Sequence, residues 1–357
     1  MKGMYDYGLR DNHTRENMEY TLLPKKEPFV KTYPKDANPL SVLLNYEHTY
    51  DWLMNCFIQL TSYNDAYLDY YDFNYRNCPI LECQRIKSNI IFDKYETLTN
   101  FIIKSIDKGY YIILPVNMKY VYTYNCSEDI PHDIFVYGYN IKNKIFNISD
   151  NFFNGKYGDS LCEFSELENA YNNIIEEHYW FQGFRGCIEL LSYISEKRAC
   201  FELYRIKESI DDYLHSRPTS RWYLNHAMWT EDEIRKRSFG ITCYNTLMYH
   251  INYAEQFGYF SQGANQAIFL MWEHKNIMLL RLKYMQDSRV YINNQVIEIY
   301  NQIEKQAKMC INLKLKYDIT RNKNILKKMA MQYNEIEKHE VVALNMLLKH
   351  LVENRWI

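Results

Sequence analysis

The stretch from Gly109 to Asp150 constrains the fold of this chain more than any other. It holds three apolar runs, at residues 110–116, 133–139 and 144–149. Each is short, rich in β-branched and aromatic side chains, and bounded by polar residues, which is the pattern of a buried strand. Residues 140–143 form a polar, hairpin-type turn between the second and third runs. Antiparallel strands joined in this way set the start of one beside the end of the other. His132 stands at the start of the second run and Asp150 closes the third, so the hairpin brings an imidazole to a carboxylate. The expected contact is from Nδ1–H to the carboxylate, which fixes the tautomer and leaves Nε2 as a base.

Around this core the chain divides into three stretches. Residues 1–40 carry Pro24, Pro28, Pro34 and Pro39 and read as an irregular N-terminal segment. Residues 41–184 hold the strand runs and two amphipathic helices. In residues 51–60, Trp52, Leu53, Cys56, Phe57 and Leu60 form one apolar stripe at helical spacing. Residues 98–106 give the second helix, ending before Gly109. A further helix is expected over 165–175, with Ser165 as its cap and Glu168 closing a capping box. Residues 185–357 read as mostly helical, including 188–194, 201–214, 239–253 and 266–285, with a break at Pro218. A final pair of long helices is expected over 292–352, turning at 322–324. The fold class is therefore α+β, an antiparallel sheet packed on helices and followed by a mainly helical half.

Composition removes several functions. Net charge is −2 and no long basic stripe occurs; the basic patch at 323–328 is a solvated helix face, so nucleic acid is not expected as a partner. Nine scattered cysteines, without a Cys-x-x-Cys pair, argue against a disulfide framework and a structural zinc site. No His-x-x-x-His or clustered carboxylate set supports a metal, and no Gly-rich phosphate loop occurs. Residues 1–26 have no apolar core of a signal peptide, and no run of 18 apolar residues is present. The expected location is a reducing cytoplasm, with no membrane partner. The 35 tyrosines fit a coding bias better than a phenol-lined groove.

The strand Gly109 to Asn117, the run His132 to Asn140 with its Gly138-Tyr139-Asn140 element, and the segment Asn147 to Asp150 resemble the amino-terminal domain of the butirosin-biosynthesis (BtrH-like) acyltransferase family. That family is similar in turn to papain-like peptidases that process bacteriocins. Asn140 replaces the family's usual Asp in the turn. The segments Phe239 to Tyr244 and Trp272 to Lys275, with Met278 and Arg281, resemble the helical half of proteins encoded near nonribosomal peptide synthetases. The likeness spans roughly residues 40–290 and extends to closthioamide-type amide synthases. It implies a papain-like cysteine protease fold over 41–184. It also implies a cysteine that attacks a carrier-protein thioester and passes the acyl group to an amine.

Cys56 is the nearest match to that nucleophile, in the order Cys56, His132, Asp150 along the chain. A reactive thiolate needs a helix N-terminus and a nearby imidazolium. The opposing reading is a buried structural cysteine, because Cys56 lies in an apolar stripe. Cys78 and Cys83 are the other candidates, without a helix start at either. His48 reads as a cap-region residue, His226 and Trp229 as groove residues, and Gln59 as a speculative oxyanion donor. His274 and Lys275 read as a satisfied histidine and a snorkelling lysine.

The expected function is an acyltransferase or amide synthase. It moves an acyl or peptidyl group from an acyl or peptidyl carrier protein to an amine acceptor. The acyl donor is the carrier's phosphopantetheine thioester; no other cofactor and no metal is implied. Cys56 is then nucleophile, His132 general base and acid, and Asp150 the orienting carboxylate; the substrate-binding residues are unknown. The alternatives are a catalytically inactive papain-fold binding or scaffold protein of such a pathway, and a cysteine peptidase.

Overall fold

The computed structural model describes residues 19–87, 90–91, 97–152, 155–174, 187–218, 230–288, 290 and 292–353. His226, Trp229 and the expected end of the 165–175 helix lie outside the described residues. The described strands, in chain order, are β1 (Tyr20–Leu22), β2 (Leu60–Tyr63), β3 (Tyr67–Tyr70), β4 (Leu81–Lys87), β5 (Tyr111–Asn117), β6 (Pro131–Asn140), β7 (Ile145–Asn151), β8 (Tyr157–Glu163), β9 (Cys187–Tyr193) and β10 (Arg237–Phe239). The chain forms two compact units, one of residues 1–24 and 83–192, the other of 25–82 and 193–357. This partition differs from the expected boundaries at 40 and 184, since residues 41–82 belong with the helical half.

The first unit is built on a sheet in the order β4-β9-β5-β6-β7-β8, with β1 also pairing with β6. The β1–β6, β5–β6, β5–β9, β6–β7 and β7–β8 pairs are all antiparallel. Long β6 serves two neighbours on one edge: β5 pairs with residues 131–136, and β1 takes over at 138–140. The change falls at Gly138, where the β6–β7 register also shifts. A Cβ there would lie 2.8 Å from the Thr21 carbonyl oxygen and 2.8 Å from Leu22 Cδ1. Close backbone approach thus requires glycine. Gly138→Ala is expected to destabilise the first unit by about 1–3 kcal/mol, the usual cost of overpacking. A urea midpoint equal to the parent's would show that β1 does not sit on β6.

The helices Leu98–Asp107 and Phe164–Asn172 belong to this unit. Thr97 caps the first, accepting from the Asn100 N–H. The second is capped by Glu163 with Glu166, not by Ser165 with Glu168. Glu168 instead accepts from the Thr99 N–H at 3.0 Å and so serves the other helix's first turn. The core joins Phe101, Ile102 and Leu167 to Ile112, Leu114, Ile134 and Phe146 of the sheet. Residues 188–194, expected to be helical, lie mostly in β9. Its pairing with β5 runs Tyr111 to Leu191 and Ile113 to Glu189.

The second unit carries the small sheet β10-β2-β3 and a set of helices. Pro34–Leu43 is a helix despite Pro39 inside it. Eight consecutive residues, 36–43, are buried there, so burial overrides the penalty of a missing N–H. The expected 51–60 helix is a single turn, Tyr50–Leu53, followed by a turn and then β2. Phe57 has φ of +62°, a strained value for a bulky residue. Its ring is stacked on Phe73 at 4.3 Å and set edge-on to Tyr70 at 5.1 Å, which holds it there. Helices Leu203–Leu214, Tyr244–Phe257 and Ala264–Asp287 follow. Asn294–Thr320 and Lys323–Glu353 then form the expected long pair. Val296, Tyr300, Ile303, Ala307 and Cys310 bury one seam of that pair; Met329, Tyr333, Ile336, Glu340 and Ala343 bury the other. Among the described residues no helix is long and apolar enough to cross a membrane.

Candidate active site

His132 and Asp150 meet in the first unit, at one end of the β6–β7 ladder. Phe135 pairs with Ser149, and successive residues alternate faces. Asp150 therefore shares its face with Ile134 and His132. The His132 Nε2 lies 3.1 Å from Asp150 Oδ1 and 2.9 Å from Oδ2, straddling the carboxylate. This corrects the expected orientation: Nε2, not Nδ1, faces the acid, and Nδ1 is the nitrogen left over. Asp150 is fully buried, whereas the His132 side chain keeps 22% of its surface exposed.

A third residue completes the group. The Tyr124 hydroxyl donates to Asp150 Oδ2, and the Asn151 N–H donates to Oδ1 at 2.6 Å. The Tyr124 ring also stands edge-on to His132, 5.6 Å between centroids. Tyr124 comes from the β5–β6 connection, which is tied down at several points. The Tyr122 N–H donates to Glu166, and Thr123 Oγ1 lies 3.0 Å from Ser160 Oγ. Asn117 Nδ2 donates to Asp129 and to the Asn173 carbonyl, both at 2.9 Å. Nothing in the sequence marked Tyr124, because a single tyrosine among 35 carries no signal.

Burial works against charge on the His132 ring, but the Asp150 carboxylate beside it, with help from Asp133, raises the ring to about 9. The pair is thus an imidazolium facing a carboxylate at neutral pH. A protonated imidazole is an acid and a fixed positive charge, not a general base. Burial also pushes the Tyr124 hydroxyl far up, so it stays a donor.

Cys56 belongs to the other unit and is part of its core. It follows the one-turn helix instead of opening a long one, and it is completely enclosed. Its thiol donates to the Trp52 carbonyl at 3.5 Å. Burial pushes the thiol well above its ordinary range, and the charged groups acting on it, Arg205, Asp72 and Arg281, are all of its own unit. An enclosed thiol held in its protonated form is not a nucleophile. The nucleophile expected at Cys56 is therefore a core cysteine of the second unit, and His132 and Asp150 meet within the first.

The remaining candidates are structural. Cys78 is buried and pushed up to about 12 by that burial. Cys83 is half-buried on β4. His48 Nε2 lies 2.8 Å from the Tyr193 hydroxyl. Gln59 is spent on the Ser209 carbonyl and the Tyr71 hydroxyl, so it offers no oxyanion donor. His274 Nε2 donates to the Ile58 carbonyl at 2.9 Å. Burial, with Lys275 adjacent, holds that ring neutral. Lys275 does not snorkel: it is fully buried and paired with Glu340 at 2.7 Å. Among the described residues no group of three or more His, Cys, Asp or Glu side chains is placed to hold a metal ion. No protein-family model matches the chain, and no curated protein matches it.

Proposed function

We propose that this chain is a catalytically inactive, papain-like binding or scaffold protein of a carrier-linked, nonribosomal peptide-type pathway. The observation that carries this reading is the enclosure of the Cys56 thiol. Covalent acyl transfer needs a thiolate that a thioester can reach, and here both access and ionisation are lost. What remains is His132, an imidazole held by a buried acid and itself partly exposed. The pair is neutral overall, and what it offers a ligand is the Nδ1–H of the imidazolium, a donor that a phosphodiester oxygen accepts. A carrier protein's phosphopantetheine arm carries such a phosphodiester and would be the partner. The resemblance of residues 109–150 to the butirosin-biosynthesis acyltransferases supports the papain-like assignment and the carrier partner.

The second reading is the Cys56–His132–Asp150 amide synthase, and the placing of a carboxylate within hydrogen-bond distance of the His132 ring favours it. A cysteine peptidase would use the same residues. Iodoacetamide near neutral pH separates binding from covalent chemistry. Exposed Cys200 should be alkylated and serve as the internal standard, while Cys56 stays unmodified in the folded protein. Peptide mass mapping reads both. Alkylation of Cys56 as fast as Cys200, slowed in His132→Ala, would defeat the binding reading. A model thioester with an added amine then divides the enzymes: amide formation marks the synthase, and hydrolysis alone the peptidase.

A further inference from the structure

We propose that the turn joining the two long helices of the second unit, with the outer face of Asn294–Thr320 leading up to it, is a docking surface for an anionic lipid bilayer. This inference rests on that helical pair and is independent of the reading of His132. Residues 305–334 hold eight Lys or Arg and a single acid, Asp318, in a chain of net charge −2. Asp318 is already paired with Lys314 at 2.6 Å, and Glu304, at the edge of the stretch, accepts from Trp272 Nε1 at 2.7 Å. Lys305, Lys316, Lys323, Lys327 and Lys328 are exposed, and none has an acid partner among the described residues. A surface so one-sided in charge attracts anions. Taken alone, residues 323–328 are a solvated helix face. The turn at Arg321 and Asn322 sets them beside the end of the preceding helix, whose outer face is also basic.

Apolar side chains stand among these cations. On the first helix Lys305, Lys308, Met309, Leu315, Lys316 and Ile319 recur at spacings of three, four and seven, which places them on one stripe. The stripe lies opposite the buried seam of Val296, Ile303 and Ala307, and its residues are all exposed, Ile319 to 84%. On the second helix exposed Met331 stands one turn past Lys327. Arg321 Nη1 donates to the Gly258 carbonyl at 3.4 Å, which brings exposed Phe257 and Tyr259 toward the same turn. Isolated apolar side chains on a surface are ordinary. Alternating with lysines along a stripe, they select among anionic partners. A nucleic-acid backbone gives Leu and Ile nothing to bury against. A protein partner needs a dry patch depleted of charge at the centre of the contact, and here ammonium groups interrupt it. A bilayer interface takes both kinds of side chain. The apolar ones enter the acyl boundary, and the lysine stems lie beside them with their ammonium groups among the headgroups.

The test is co-sedimentation of the full chain with vesicles of phosphatidylcholine alone and with vesicles containing about one-third phosphatidylserine. The phosphatidylserine vesicles should bind the chain about tenfold more tightly or better. The triple variant Lys316→Gln, Lys327→Gln, Lys328→Gln should lose about tenfold or more of that binding, each lysine at a charged surface being worth roughly fivefold. The double variant Leu315→Ser, Ile319→Ser should lose about fivefold or more. All five positions are exposed, and an unchanged circular dichroism spectrum shows that each variant is folded. The proposal is overturned by equal binding to the two vesicles, by no binding to either, or by a triple variant that binds like the parent. A double variant that binds like the parent also overturns it, since charge alone then draws the chain in, as at a surface made for an acidic protein. A dimer in sedimentation velocity that the double variant abolishes would assign the face to a second copy and overturn it too.

Discussion

Glu340→Leu is expected to lower the stability of the chain by about 3–5 kcal/mol, the usual cost of stripping one partner from a buried ion pair. Glu340 lies in the seam of the last two helices, with no exposed surface. Lys275 Nζ donates to both of its oxygens, at 2.8 and 2.7 Å. The hydroxyls of Tyr213, Tyr244 and Tyr300 donate to the same carboxylate at 3.0, 2.9 and 3.1 Å. Removing the acid leaves an enclosed ammonium and three phenols without their acceptor. Burial already favours the neutral form of Lys275, and Glu340 is the group opposing it. Lys275→Met should cost a similar amount. The double variant should lose less than the two single losses added together, by more than 1 kcal/mol, as coupled neighbours do. Urea unfolding measures all three. A single-variant loss below about 1 kcal/mol would mean that the pair is solvated in the native protein.

The His132–Asp150 pair predicts a pH dependence of definite sign. Unfolded, the ring titrates at its ordinary 6.5; folded, at about 9. The native state therefore binds the proton more tightly. The resulting stabilisation is complete below pH 6.5 and disappears as pH rises through 9. Its size follows from the shift, about 3 kcal/mol. Asp150→Asn removes the charge that holds the proton, and burial, which outweighs the remaining pull of Asp133, then drives the ring below 6.5. Titration of the His132 ring by NMR should show this fall. A ring that still titrates above 8 in that variant would place the source of the shift elsewhere. In the parent, stability measured from pH 6 to 10 should decline, and in His132→Gln that part of the decline should vanish.

The strands of the candidate site were readable because their apolar runs are short, β-rich and joined by a polar turn. The expected 110–116, 133–139 and 144–149 fall within Tyr111–Asn117, Pro131–Asn140 and Ile145–Asn151 to about a residue at most ends. Residues 188–194 were misread because Ile188, Leu190 and Leu191 satisfy both a helical and an alternating pattern. The free edge of β5 settles the matter by offering hydrogen bonds along Tyr111 to Ile113. The 51–60 stripe shows the converse. Trp52, Leu53, Cys56, Phe57 and Leu60 are all buried, as their pattern implied, yet most of them are not helical. Apolarity told which side chains go inside, not the backbone path that takes them there.

The amino-acid sequence by itself determined the hairpin, the meeting of His132 with Asp150, and the long helical pair, because all three rest on local periodicity and on neighbours joined by short turns. Only the tertiary structure decided which ring nitrogen faces the acid, that Tyr124 completes the group, and that Cys56 lies within a core. It alone also set Glu340 among three tyrosines. Those outcomes depend on side chains far apart along the chain, and their contact energies arise only once packing has removed water from between them.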